Sequence, residues 1–182
     1  MTATLSTDRV QLEPIVPAHA AELEEALSDP EIYRYLPLEP REDVAMVIDR
    51  CHPSRGRRSP DGREIWLNWA LRIRASGRCA GRLEATVAED GVRARIAYLV
   101  APWARGKGHA TEACRLVLGH LFEGEGCRVV EATIDTRNVR SIALVERLGF
   151  GLVRVVPDAD FFKGETSDEV VYRIVRSARS GE

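Results

Sequence analysis

The sequence predicts a mixed α+β fold with a mostly antiparallel sheet. Three observations carry this prediction: consecutive hairpin-like segments in the middle of the chain, a long amphipathic helix after them, and strand-like segments near the C-terminal end. The chain has 182 residues, 45% of them hydrophobic and 30% charged, which is typical of one globular domain with its own core. We therefore expect a single domain over residues 1–182.

Composition and charge exclude several classes of protein. Lys and Arg number 26 against 28 Asp and Glu, a net charge of −2, so bulk charge argues against a nucleic-acid partner. No apolar run approaches the ~20 residues of a membrane span, and the first residues do not resemble a secretory signal. We therefore expect a cytoplasmic protein with no membrane partner. The cysteines are scattered without a CxxC motif, which predicts neither a metal site nor a disulfide framework.

The first third of the chain predicts one strand and two helices. Residues 9–13 alternate in polarity, as expected of a short strand. Apolar residues recur at helical spacing over residues 18–27 and 41–50, and the breaker Ser28-Asp29-Pro30 separates the two helices. Residues 52–63, rich in Pro, Gly, Ser and Arg, predict a surface loop. Its arginines either meet an anionic ligand or are simply solvated.

Three antiparallel strands follow, over residues 65–74, 79–87 and 93–100. Turn residues at 75–77 and 89–91 join them as hairpins.

The remaining elements predict a helical crossover and a closing pair of strands. Apolar residues at i, i+3, i+4 and i+7 favour a helix over residues 110–122, and a strand over residues 129–135 follows it. An N-capping asparagine precedes a short helix over residues 139–148. The last two strands are predicted over residues 151–156 and 170–175, with a polar loop between them.

The junction before the long helix has the composition of an anion site. It reads Arg105-Gly-Lys-Gly-His-Ala-Thr111. Glycines let the backbone approach a ligand, the first N–H groups of a helix lack internal partners, and the helix dipole favours negative charge. The segment matches neither the Walker pattern nor the dinucleotide-binding GxGxxG pattern.

Two spaced motifs carry a resemblance to a known family. Read as Arg105-x-x-Gly108-x-Ala110, the junction resembles the acetyl-CoA pyrophosphate signature of the GCN5-related N-acetyltransferases (GNAT). The segment from Asn138 to Phe150 is similar to their second motif, N-x-x-[SA]…E-[KR]-L-G-F. The N-terminal stretch beginning at Arg9 is similar to the subfamily of ribosomal-protein alanine acetyltransferases (RimJ/RimL type).

The resemblance implies a fold and a cofactor site. The fold has a central sheet of about seven strands flanked by helices, with a V-shaped opening between the fourth and fifth strands. Acetyl-CoA is expected in that opening as co-substrate, with its pyrophosphate on backbone amides and its pantetheine arm along the fourth strand. The residues expected to bind it are Leu99, Val100, Arg105, Gly106, Lys107, Gly108, His109, Ala110, Thr111, Asn138 and Arg147.

The implied reaction transfers an acetyl group to an amine, which needs a neutral nucleophile and a proton for the departing thiolate. Relatives often carry a tyrosine acid where this chain has Val145, so Ser141 is the candidate acid; a plain helix-turn serine is an equal alternative. The usual strand carboxylate is replaced by Arg95. Glu84, on the neighbouring strand, is the candidate base, and an ordinary outward-facing carboxylate is the alternative.

Other residues could shape the acceptor site. Tyr98 either lines the acceptor pocket or packs in the core, and Trp66 and Trp69 point to opposite faces of their strand. The acids of the last loop either recruit a cationic amine or form a solvated charge run. These acids are Asp158, Asp160, Glu165, Asp168 and Glu169.

The leading hypothesis is an N-acetyltransferase acting on a protein N-terminal α-amine or on a small amine. One alternative is a non-catalytic acyl-CoA-binding or regulatory module, and another is an enzyme that acetylates aminoacyl-tRNA. A homodimer is a further possibility, since dimers are common among the relatives that the chain resembles.

Overall fold

The structure, a computed structural model, describes residues 2–52 and 56–176, which form an eight-stranded sheet and four α-helices. The strands are β1 (Leu5–Ser6), β2 (Val10–Pro14), β3 (Ile65–Ile73), β4 (Cys79–Val87), β5 (Arg93–Val100), β6 (Val129–Asp135), β7 (Gly151–Phe162) and β8 (Glu165–Val175). The helices are α1 (Ala20–Ala26), α2 (Pro40–Arg50), α3 (His109–Gly119) and α4 (Val139–Arg147). The α+β class is confirmed, with one strand more than expected because the two-residue β1 pairs with β2.

The sheet opens between β5 and β6. The strand order is β1-β2-β3-β4-β5-β6-β8-β7, and every neighbouring pair is antiparallel except β5 with β6. Those two parallel strands pair only over residues 93–95 against 129–131. Residues 96–100 and 132–135 then diverge, so the predicted V-shaped opening lies between the fourth and fifth of the predicted strands.

The two faces of the sheet carry different cores. Leu83 and Ala85 of β4 belong to the core that includes Val117 of α3, whereas the core on the opposite face gathers Tyr33 and Val44 near α2. Side chains alternate along a strand, so the residues of β4 that alternate with Leu83 and Ala85, namely Arg82 and Glu84, point toward α2. Charged side chains of β4 therefore lie on the α2 face, one strand away from the opening.

The segment between α1 and α2 reaches this same face. Asp29 accepts a hydrogen bond from the backbone N–H of Glu31 at 2.9 Å and so caps a 3-10 turn over Pro30–Tyr33. The predicted helix over residues 18–27 is shorter than expected, because its start is a separate 3-10 turn over Pro17–His19. Of the predicted surface loop over residues 52–63, residues 53–55 lie outside the described residues.

The predicted polar loop before the last strand is wrong. β7 and β8 form one long hairpin whose tip lies at Lys163 and Gly164, and the pairing shifts register between Val156 and Asp160. The polar and acidic residues between 156 and 170 suggested a loop. However, β7 is an edge strand, where Pro157 costs no ladder hydrogen bond and a bulge absorbs the extra residues. Among the described residues, no helix combines the length and the apolar character needed to cross a membrane.

Candidate active site

The turn between β5 and α3 forms a cradle of backbone groups. β5 ends at Val100, a 3-10 turn over Pro102–Ala104 follows, and α3 begins at His109. Gly106 and Gly108 lie between them with φ of 73° and 81°, the left-handed region that favours glycine. A Cβ on Gly106 would meet nothing within 4 Å, so the backbone borders open space. The first N–H groups of α3 have no partner within the helix and lie at the positive end of its dipole.

Cationic side chains surround this cradle. Nε of Arg105 donates to the carbonyl of Val100 at 3.0 Å. Burial and the nearby charge of Arg140 lower the pKa of Arg105, but a guanidinium starts so far above neutrality that it keeps its charge. Nη1 of Arg147 approaches the hydroxyl of Thr111 at 3.5 Å, which joins the last turn of α4 to the first turn of α3. These side chains and amides fit a pyrophosphate.

The edge of β5 that faces the opening forms one wall. On its other edge, Leu99 and Val100 pair with Arg82 and Gly81 of β4. Beyond Arg95 the strand has no β6 partner, so its main-chain groups on the open side are available to an extended ligand arm. The predicted pantetheine residues therefore border the opening.

The start of α4 forms the opposite wall. The side-chain oxygen of Asn138 accepts a hydrogen bond from the backbone N–H of Ser141 at 3.2 Å, so the predicted N-cap is confirmed. The hydroxyl of Tyr98 donates to the carbonyl of Ser141 at 3.3 Å. Burial raises the pKa of Tyr98, so the phenol stays neutral and remains a donor. The hydroxyl of Ser141 makes no hydrogen bond to any residue in the described ranges, which leaves it available to a ligand.

Glu84 lies on the face opposite α4, in a charged cluster built around Arg82. The guanidinium of Arg82 donates from Nε and Nη2 to the carboxylate of Asp43, at 3.0 and 2.5 Å, and from Nη1 to Glu84 at 2.6 Å. Asp43 is fully buried and also accepts from the hydroxyl of Tyr33 at 3.2 Å. Burial alone would lower the pKa of Arg82, but its bonds to Asp43 and the charge of Glu84 outweigh it and raise the pKa.

This cluster carries an excess of negative charge. One guanidinium faces two carboxylates, and only Glu84 reaches solvent, with a quarter of its side chain exposed. On the adjacent strand β3, Asn68 lies opposite Glu84, and its buried Oδ1 has no hydrogen-bond partner among the described residues. A buried acceptor without a partner costs free energy unless a donor is supplied. The face beside Glu84 is therefore suited to a cationic donor.

The β7–β8 hairpin closes the far side of this face. Asp135 at the end of β6 accepts from Arg137 at 2.6 Å and from the buried hydroxyl of Ser167 at 2.7 Å. Nζ of Lys163 at the tip donates to the carbonyl of Tyr33 at 2.7 Å, which ties the hairpin to the segment between α1 and α2. Arg137 also lies 5.8 Å from the ring centre of Tyr35.

The acids of the predicted last loop are distributed along this hairpin. Glu165 pairs with Arg137 at 2.5 Å, and Asp168 accepts from the backbone N–H of Asp158 at 2.9 Å, so these acids have structural partners. Glu169 is opposite Asp135 in the ladder. Burial, and then the charges of Asp160 and Asp135, raise the pKa of Glu169.

Several side chains singled out in the sequence lie away from the Glu84 cluster, either on the other face of the sheet or toward its paired end. Tyr98 pairs with Leu83 and lies on the face of α3 and α4, where its hydroxyl reaches the carbonyl of Ser141. Trp69 is fully buried and its ring lies edge-on to that of His120. The guanidinium of Arg50 stacks over the ring of Trp66, 4.8 Å from its centre, beside the part of β5 that pairs with β6. Arg95 forms an exposed ion pair with a glutamate at the start of β3.

Two further side chains in α3 are packing groups. Burial raises the pKa of the Cys114 thiol to about 12, which makes it a poor nucleophile at neutral pH. The imidazole of His109 is buried, and its Nδ1 has no partner among the described residues. The backbone N–H of His109, at the first position of α3, has no partner within the helix.

Sequence reasoning missed the residues that hold Glu84 and close the hairpin. These are Asp43, Arg82, Asp135, Arg137 and Lys163. One signal was present: Arg82 and Glu84 are charges of opposite sign, two residues apart in an otherwise small and apolar strand, and so on the same face.

The sequence matches a family model and two curated relatives over most of its length. Residues 9–151 match the family described as Acetyltransferase (GNAT) domain. The chain is 24% identical over 180 residues to a protein of Bacillus licheniformis named uncharacterized N-acetyltransferase p20, covering 98% of this chain and 99% of that protein. It is 25% identical over 177 residues to uncharacterized N-acetyltransferase YoaA of Bacillus subtilis (strain 168), covering 97% and 98%.

The fold also resembles solved structures. One is the ribosomal-protein alpha-N-acetyltransferase RimL in complex with coenzyme A, with a TM-score of 0.79 and 16% identity, covering 95% of this chain and 98% of that one. Another is an acetyltransferase (GNAT family) from Bacillus anthracis, with a TM-score of 0.78, 16% identity and the same coverage. At these identities the likeness establishes the shared fold.

Proposed function

This chain belongs to the GNAT acetyltransferase family, and from that premise we propose that it transfers an acetyl group from acetyl-CoA to a primary amine by direct attack of the amine on the thioester. The observation that carries the proposal is the opening between β5 and β6, which has a cradle for a pyrophosphate at its mouth. The two candidate catalytic side chains lie on opposite faces of the same sheet.

The cradle is suited to acetyl-CoA, which supplies an activated acetyl group as a thioester. Backbone N–H groups from Gly106 to Thr111 would hold the pyrophosphate, whereas the predicted N–H of Arg105 already donates to the carbonyl of Pro102 at 3.2 Å. Lys107 and Arg147 would add positive charge. Main-chain groups of Leu99 and Val100 would align the pantetheine arm, and an N–H of β5 would stabilise negative charge on the thioester oxygen. Asn138, already the cap of α4, would border that arm.

Glu84 is the proposed base. An ammonium entering from the α2 face would meet its carboxylate and the unpartnered oxygen of Asn68, and it would neutralise the excess negative charge of the Arg82 cluster. Glu84 would then accept the proton that the amine must lose before it can attack. Because Arg82 and Asp43 are buried and bonded to one another, they hold the carboxylate in place.

Ser141 is the proposed acid on the other face. Its position at the start of α4 borders the opening, and its backbone is fixed by Asn138 and Tyr98. The hydroxyl would give its proton to the departing thiolate, directly or through a water. With base and acid on opposite faces, the amine arrives on one side and the thiol leaves on the other.

The acceptor that fits best is an α-amine, as at a protein N-terminus. Its pKa of about 8 makes deprotonation by a carboxylate easier than for a lysine side chain near 10.4. The name of the RimL structure, an alpha-N-protein acetyltransferase, supports the same acceptor class. A small amine is the second candidate, favoured by the hairpin that Lys163 fastens to the segment around Tyr33.

A thiol-release assay tests the proposal. Purified protein is incubated with acetyl-CoA and, in turn, short peptides with free α-amines, peptides with a blocked N-terminus and a free lysine, and small polyamines. We expect turnover with one acceptor class and a 10²- to 10⁴-fold lower kcat in Ser141→Ala. Ser28→Ala, at the exposed end of α1, is the control and should match the wild type. Binding of CoA with no turnover on any amine would overturn the proposal in favour of a binding module.

A further inference from the structure

The turn between β1 and β2 lies directly against the cradle, about a hundred residues away in the chain. Nη2 of Arg9 donates to the carbonyl of Lys107 at 2.6 Å. Nη1 of the same guanidinium donates to Oε2 of Glu112, in the first turn of α3, at 3.0 Å. The hydroxyl of Thr7 donates to the other oxygen of Glu112, Oε1. Thr7 and Arg9 thus bind both the loop and the start of the helix.

The bond to the Lys107 carbonyl fixes a peptide plane. In a trans peptide the carbonyl and the following N–H point in opposite directions. With the carbonyl of Lys107 held by Arg9, the N–H of Gly108 points away from Arg9. Gly108 has φ of 81°, and a Cβ there would lie 3.8 Å from Nη1 of Arg9, so the guanidinium lies along the glycine. A loop containing two glycines has few local restraints, and Arg9 supplies one.

The bonds to Glu112 settle a charge conflict. A carboxylate in the first turn of a helix is stabilised by the helix dipole, but an anionic ligand at the same helix end would be repelled by it. Arg9 and Thr7 occupy both oxygens of Glu112, and Arg9 brings the compensating positive charge. Half of the Arg9 side chain is exposed, and such ion pairs contribute little to stability. Its contacts therefore matter more for the geometry of the loop than for the fold.

We propose that Arg9, assisted by Thr7, is a positioning residue for the cofactor: it orients the Lys107–Gly108 peptide toward the pyrophosphate and neutralises Glu112 beside it. The proposal rests on the proposed function, in which this loop binds the pyrophosphate of acetyl-CoA. The ligand class is a pyrophosphate-containing thiol or thioester, and the role of Arg9 is exerted through the backbone rather than by direct contact.

Calorimetric titration with CoA tests this without any need for turnover. We expect Arg9→Gln to raise the dissociation constant for CoA about tenfold, because the Lys107–Gly108 peptide loses its restraint and the charge of Glu112 is left uncompensated. Arg9→Lys keeps the charge but cannot reach both the Lys107 carbonyl and Glu112. Its affinity for CoA should therefore lie between those of the wild type and Arg9→Gln. Arg74→Gln is the matched control. Among the described residues, the side chain of Arg74 donates one hydrogen bond, to the carbonyl of Thr7 at 3.4 Å, and the backbone bond from Arg74 to the carbonyl of Arg9 is unaffected by the substitution. The CoA affinity of this variant should stay within twofold of wild type.

A double variant separates the proposed role from direct contact with phosphate. Removing the charge of Glu112 in Arg9→Gln/Glu112→Gln should give a CoA affinity about threefold higher than that of Arg9→Gln. The melting temperatures of all variants should remain similar. If Arg9→Gln binds CoA within twofold of wild type, or if the double variant binds no better than Arg9→Gln, the positioning role is wrong. If the wild type itself fails to bind CoA, the proposed function is overturned, and this inference with it.

Discussion

The two sides of the opening are built in different ways. The proposed cofactor side consists mainly of backbone: a strand edge, two left-handed glycines and the first turn of a helix, all within residues 99–111. The proposed acceptor side consists of side chains from separate elements: Asp43 of α2, Arg82 of β4 and Asp135 of β6. A backbone site depends on shape, whereas the side-chain site depends on which charges meet.

This difference explains how each side could vary. Away from Gly106 and Gly108, a change of side chain in the cradle leaves its amides in place, so the same cofactor can be kept while the sequence changes. On the acceptor side, one substitution removes a partner from a buried charge and alters what the face can bind. Steric changes should therefore damage the cofactor side, and charge changes should damage the acceptor side.

The largest effect is expected from one methyl group added on β4, where it closely approaches the backbone of β5. Gly81 has φ of 141°, and a Cβ there would lie 2.0 Å from the carbonyl oxygen of Leu99. In Gly81→Ala the backbone of β5 must move, and we expect the free energy of unfolding to fall by about 3–5 kcal/mol, measured by urea denaturation. Any folded fraction should also bind CoA more weakly.

The control for this change is another left-handed glycine with open space. Gly77 has φ of 67°, and a Cβ there would meet nothing within 4 Å. Gly77→Ala should cost only the backbone strain of about 1–2 kcal/mol and leave CoA affinity unaltered. Equal losses in the two variants would show that conformation alone matters and that the close approach to Leu99 does not.

A smaller effect is expected from a charge change on the acceptor side. Burial alone would raise the pKa of Asp135, but hydrogen bonds from Arg137 and Ser167 outweigh it and lower the pKa. Asp135→Asn should lower the free energy of unfolding at pH 7 by about 1.5–3 kcal/mol, because it removes charged hydrogen bonds from a buried position. Glu165→Gln, an exposed partner of the same arginine, should have no measurable effect.

The pH dependence gives the sign of this contribution. A carboxyl whose folded pKa lies below its unfolded value of about 3.9 stabilises the fold fully above that value. The stabilisation is lost as the pH falls through the folded pKa. The difference in unfolding free energy between wild type and Asp135→Asn should therefore shrink below about pH 4. A constant difference down to acid pH would show that the loss is steric and not electrostatic.

The elements that form the proposed cofactor side could be predicted from the sequence because their signals are local. The spacing from Arg105 to Ala110 and the cap at Asn138 depend on neighbouring residues and on the ends of two helices. The hairpin strands over residues 65–100 were equally readable, since alternation and turn residues determine them. The two-residue β1 was missed because so short a strand has no period of its own.

The acceptor side could not be predicted in the same way. The sequence suggested a loop around Pro157, where the structure has a bulged edge strand that pairs through its backbone. Likewise, nothing local to Arg82 shows that a buried aspartate 39 residues earlier holds it. Contacts of this range depend on the assembled fold, so Glu84 was recognised as a candidate without the groups that position it.

The most direct test of the account is the effect of Glu84→Gln on cofactor binding and on catalysis, measured separately. Calorimetry gives the dissociation constant for acetyl-CoA, and thiol release at saturating acetyl-CoA gives kcat/KM for the best amine. Glu64→Gln, a surface glutamate paired with Arg95, is the matched control. We predict an acetyl-CoA affinity within twofold of wild type and a kcat/KM at least about 10²-fold lower, with no change in the control. An unchanged kcat/KM, or a loss of acetyl-CoA affinity equal to the loss of activity, would contradict the division of the site into a backbone side and a carboxylate side.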